Sequence, residues 1–164
     1  MRARHLGAAA AALPVLALLT GCTVPKTGVL AFTRTDAGVI RAEIRMCEGH
    51  VDGVSVYIDD AHSYDVDLPE PVTGDDHNTG HSTGTGGMDL PDLEDWLRPR
   101  TTYYSFAGSN DDAHAADGPE LTAKQLAELK PGQYLALANQ DYATHVMTVG
   151  QFASEADAFC ASDA

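Results

Sequence analysis

The chain has 164 residues, with 24 acidic against 10 basic side chains and a formal charge of −14. Nucleic acid and anionic headgroups are excluded as expected partners, because like charge repels them. The length suits one folded domain, and no internal repeat or heptad suggests a solenoid or coiled coil.

The N-terminus opens with Arg2 and Arg4, followed by an apolar run from Leu6 to Leu19. A spanning helix needs roughly 20 apolar residues, so this shorter run, interrupted by Pro14, reads as a secretion signal over residues 1–21. The arginines are not adjacent, which favours the general secretory route over the twin-arginine one. The run closes on Leu19-Thr20-Gly21-Cys22. This stretch resembles the lipobox of bacterial lipoproteins: an aliphatic residue, a small residue, Gly or Ala, then Cys. The resemblance implies cleavage before Cys22 and a diacylglycerol on its thiol. Two acyl chains hold a protein firmly without a spanning helix. Residues 22–27 would then be a lipidated tether and residues 28–164 an extracytoplasmic domain on the outer face of the cell membrane. With Cys22 lipidated, Cys47 and Cys160 remain as an even pair in an oxidising compartment, where a disulfide is the default.

The domain begins as strands. Val29 to Arg34 reads as the first, and Thr35-Asp36-Ala37-Gly38 as a turn. From Val39 to Cys47, Ile40, Ala42, Ile44 and Met46 alternate with Arg41, Glu43 and Arg45. Period two with one charged face means a half-buried antiparallel strand. By that parity Cys47 lies off the core-facing set, so a bond to Cys160 would pin the C-terminal tail across the outside of the sheet. Gly49 to Gly53 reads as a turn into a third strand through Val54, Val56 and Ile58, and His62 to Leu68 as a weaker fourth.

Residues 69–91 carry two prolines before position 72 and five glycines among small polar residues, which predicts a long flexible loop. Asp92 to Leu97 suits one helical turn whose Trp96 covers the core, and Thr102 to Ser109 returns to strand. Asn110 to Pro119 reads as an acidic loop. Leu121 to Leu129 is the one convincing helix: Thr122 with Gln125 fits a capping box, and Pro131-Gly132 stops it. Strands follow at Gln133 to Ala138 and His145 to Val149. Short strands at turn-separated intervals predict a mainly β fold, an immunoglobulin-like antiparallel β-sandwich with one short crossover helix.

Cys47-Glu48-Gly49, Asp52-Gly53-Val54 and the run from Leu126 to Gln133 resemble small lipoproteins of actinobacteria. That resemblance implies a cell-envelope lipoprotein and brings no activity with it.

Four motifs remain. Gly80-His81-Ser82-Thr83-Gly84 matches G-x-S-x-G, but the nucleophile elbow needs an apolar strand before the serine and a helix after it, and neither neighbour reads so. Asp75, Asp76, His77 and His81 offer two carboxylates and two imidazoles, a donor set for zinc, copper or nickel if the segment folds around the ion. Asp111, Asp112 and Asp117 lack the spacing of a calcium loop. Tyr103, Tyr104, Phe106 and Trp96 either line a ligand groove or fill the core. His50, in a turn, and His145, at a strand start, have no evident base or nucleophile beside them. The expectation is a non-catalytic envelope lipoprotein with no cofactor, bound to the membrane through Cys22 and to an envelope protein or small ligand through its loops. Its alternative is metal binding or delivery through Asp75–His81.

Overall fold

Alternation of apolar and polar side chains lays down most of this molecule. The computed structural model describes residues 26–59, 61–75, 84–111, 113–138 and 142–162. Nine strands are formed: β1 Lys26–Arg34, β2 Ile40–Met46, β3 Glu48–Asp59, β4 His62–Asp75, β5 Gly84–Asp89, β6 Tyr104–Gly108, β7 Ala115–Asp117, β8 Gln133–Leu137 and β9 Thr144–Thr148. Three helices accompany them: α1 Leu93–Trp96, α2 Ala123–Glu128 and α3 Val149–Ser162.

The mainly β expectation holds, but two facing immunoglobulin-like sheets do not describe the hydrogen bonding. All nine strands join one sheet in the order β4-β3-β6-β7-β1-β2-β5, with β8 on β1 and β9 on β8. One edge of β1 carries β2; the other carries β7 in parallel and then β8 antiparallel. The sheet curls until its end strands meet. A Cβ on Gly84 would collide with the carbonyl of Thr73, and one on Gly86 with the Val72 side chain. Glycine lets β5 lie against β4, so the barrel nearly closes.

This closure corrects the two ends of the expected flexible loop at 69–91. Residues 69–75 complete β4 and residues 84–89 form β5, leaving residues 76–83 outside the described part. Gly74, Gly84, Gly86 and Gly87 serve close strand approach.

A second correction concerns Gly49 to Gly53. The chain does not reverse there but continues from β2 into β3 past Cys47, whose N–H donates to Thr27 O at 2.8 Å. Across that bend it changes partners, from β1 and β5 to β4 and β6. Gly49 takes a φ of 69° at the bend. The Thr35–Gly38 turn forms as expected, with Gly38 N–H donating to Thr35 O at 2.9 Å. The first strand starts earlier than expected, taking in Lys26 and Thr27, which the sequence reading assigned to the tether.

Parity divides the packing in two. Ile40, Ala42, Ile44 and Met46 point into the barrel with Leu30, Phe32, Val54 and Val56, and α1 and α2 close one end with Leu93 and Leu126. The opposite face of β1 and β2 carries Val29, Ala31 and Cys47, which α3 covers with Phe152, Ala156, Phe159 and Cys160. Cys47 and Cys160 form a disulfide across a sequence separation of 113 residues, tying α3 to the outside of the sheet where parity placed it. In the chain-entropy model a loop of that size contributes about 4–5 kcal/mol. Among the described residues, no helix is long and apolar enough to cross a membrane.

Helix α2 forms where its signals are: Gln125 N–H donates to Thr122 Oγ1 at 3.2 Å. Arg34 secures its far end. The guanidinium donates to Leu126 O at 2.7 Å and Leu129 O at 3.1 Å while pairing with Glu94 of α1 at 2.6 Å. Helix α3 is unexpected, as is β7 inside the expected acidic loop.

Candidate functional site

The outer face of the sheet is only half covered. Helix α3 lies over β1 and β8, while the neighbouring outer surface of β3, β6 and β7 stays open. Antiparallel pairing sets Tyr57 opposite Tyr104 and Ser55 opposite Phe106. Val54, Val56, Ser105 and Ala107 point inward and are buried. Their alternates Tyr57, Tyr104 and Phe106 therefore point outward. The Tyr57 ring lies 5.8 Å from each of the other two, tilted to Tyr104 and edge-on to Phe106.

These rings form one wall of a groove of about 550 Å³, which Lys26, His114, Asp117, Glu120 and Tyr142 also line. Lys26 Nζ sits 2.7 Å from Asp117 Oδ2, so the nearest cation and anion offset each other. Ser105 is tied down, its hydroxyl donating to Pro119 O at 2.7 Å. His114 Nδ1 lies 3.4 Å from Thr27 Oγ1, and the imidazole rests against Gly49, where a Cβ would overlap the ring. Its neighbour His50 has its centroid 6.1 Å away and its Nε2 3.6 Å from Asp52. The loop beside them is ordered by Asp111. That carboxyl is held below its ordinary pKa, first by the Ser109 hydroxyl and then by the Ala113 amide, with the nearby His50 adding to the effect.

The aromatic set anticipated from sequence is split. Tyr104 and Phe106 reach the groove. Tyr103 and Trp96 go to the barrel end, 5.2 Å apart, with Tyr103 Oη accepting from Arg98 N–H at 2.7 Å. Tyr57, Tyr142 and Lys26 were not foreseen. Adjacent aromatics carry no label for which one faces out until the strand register is known.

Among the described residues, the remaining candidates are not brought together into a reactive centre. Asp75 ends β4 opposite Glu48, and Asp76, His77 and His81 lie outside the described residues, as does Cys22. Among the described residues, no group of three or more His, Cys, Asp or Glu side chains is arranged to hold a metal ion. Ser82 also lies outside the described residues; after it, Thr85 to Gly87 belong to a strand, not to the helix an elbow requires. Asp117 is engaged by Lys26, and Asp112 is outside the described part. His50 lies within β3 rather than in a turn, and His145 lies on β9.

The groove offers flat ring faces, phenol hydroxyls, an imidazole, the Glu120 carboxylate and one offset ion pair. Scans against protein-family models, curated proteins and solved structures gave no match to this chain.

Proposed function

We propose that this protein is a lipid-anchored envelope module, held on the outer face of the cell membrane through Cys22, that binds without catalysis through the aromatic groove. The observation that carries the binding reading is the cluster of half-buried Tyr57 with exposed Tyr104 and Phe106 on the outer face of the sheet. Large rings left in water on a stable scaffold are characteristic of recognition surfaces. The anchor reading is supported by Leu19-Thr20-Gly21-Cys22 after a short apolar run. The Cys47–Cys160 disulfide fits an oxidising compartment.

Mass spectrometry of the purified native protein tests the anchor. The expected N-terminal peptide begins at Cys22 and carries the mass of a diacylglycerol. An intact Met1 start, or an unmodified Cys22, rejects it.

A further inference from the structure

We infer that the partner of the aromatic groove is the membrane itself: the groove seats on the headgroup and glycerol layer of zwitterionic phospholipid, beside the protein's own anchor. This rests on the reading of Cys22 as the lipidated residue.

Reach comes first. Lys26, where β1 starts, is also a groove residue. Cys22 precedes it by four positions, and an extended chain spans at most about 3.6 Å per residue, so at most roughly 14 Å of backbone separates Cys22 from Lys26 at the groove rim. The polar layer on each side of a bilayer is about 5–7 Å thick. A tether this short keeps the groove within reach of that layer.

The chemistry of the groove agrees. Five large hydrophobic side chains stand exposed among the described residues, and three of them, Tyr104 at 48%, Phe106 at 37% and Tyr142 at 66%, line this one groove. Tyrosine is enriched at the membrane interface, where the ring meets the acyl boundary and the hydroxyl meets the headgroups. The Lys26–Asp117 pair makes that end of the groove locally neutral, which a zwitterionic surface tolerates. Docking need not be strong by itself, because the anchor holds the groove at high effective concentration over the lipid.

The test uses the full lipidated protein in phosphatidylcholine vesicles, with hydroxyl-radical footprinting read by mass spectrometry. The reference is the soluble Cys22→Ser variant. Oxidation of Tyr104, Phe106 and Tyr142 is expected to slow about fivefold or more on vesicles. Val146 and Val149, exposed but outside the groove, are expected to keep their rates. In a Phe106→Asp variant the protein stays vesicle-bound through its lipid, while the Tyr104 rate returns to within about twofold of the soluble value. Continued protection of the fully buried Tyr103 shows that this variant remains folded. Equal Tyr104 and Phe106 rates on and off vesicles, with an acylated Cys22 peptide in the same digest, overturn the docking and leave the anchor standing. An unmodified Cys22 peptide overturns both. Protection that fades when the protein is diluted in lipid assigns the groove to a second copy of this chain and overturns membrane docking.

Discussion

Asp111 shows how a single exposed side chain orders the floor beside the groove. Its carboxylate accepts from Ala113 N–H at 3.1 Å, and the Ser109 hydroxyl and His50 also favour the charged form. A carboxyl whose folded pKa lies below its unfolded one contributes stability above the unfolded value and loses it as pH falls through the folded value. Asp111 is fully exposed, so the effect is small and confined to the acid side. A carboxyl-carbon NMR titration is expected to place its midpoint below that of an ordinary aspartate. In an Asp111→Asn variant the stability deficit relative to the parent should be present at neutral pH and vanish at strongly acid pH. A midpoint at or above the ordinary value, or a deficit that persists in acid, contradicts this account of the loop.

Helix α3 is the element on which the two faces of the sheet diverge, and its first turn is held by a reciprocal cap. Gln151 N–H donates to Thr148 Oγ1 at 3.3 Å, while Gln151 Oε1 accepts from Thr148 N–H at 2.8 Å. Removing such a cap costs about 1 kcal/mol. Thr148→Ala is expected to lower unfolding stability in urea by about that amount; an unchanged midpoint would show that the disulfide and the buried face of Phe152, Ala156 and Phe159 hold the helix without the cap. The signals for this helix were in the sequence: a Thr-x-x-Gln start, then Phe152, Ala156, Phe159 and Cys160 at helical spacing. They were masked by a run of small and acidic residues with only two large apolar side chains. Strand β2, by contrast, was fully legible, because four apolar residues alternate with three charges and each face has one environment. Strand β5 was unreadable for the opposite reason: Gly84, Gly86 and Gly87 carry no side chain to show a period, and their role is set by β4 and β2 pressing on them. The groove was half legible. Tyr104 and Phe106 were singled out, but Tyr57 meets them only through the β3–β6 pairing, and Lys26 only through the parallel contact of β1 with β7.

At the scale of the whole molecule, the charge and the proposed anchor pull in opposite directions. The chain carries −14, and loss of Arg2 and Arg4 with a cleaved signal would make the remainder two charges more negative. If Cys22 carries the proposed lipid, a membrane with anionic lipid repels the body held beside it, and a groove docked there seats against that repulsion. Salt separates the two contributions. Raising ionic strength from 0.01 M to 0.15 M shortens the Debye length from about 30 Å to about 8 Å, which screens the body's charge while leaving ring burial nearly untouched. On vesicles containing phosphatidylserine, protection of Tyr104 and Phe106 from hydroxyl radicals is therefore expected to strengthen as salt is raised. On pure phosphatidylcholine it should barely change. A basic docking surface would give the reverse, losing contact with added salt, because its attraction is what the ions screen. Protection on the anionic vesicles that weakens with salt would mean that Lys26 and its neighbours, rather than the rings, hold this face to the lipid.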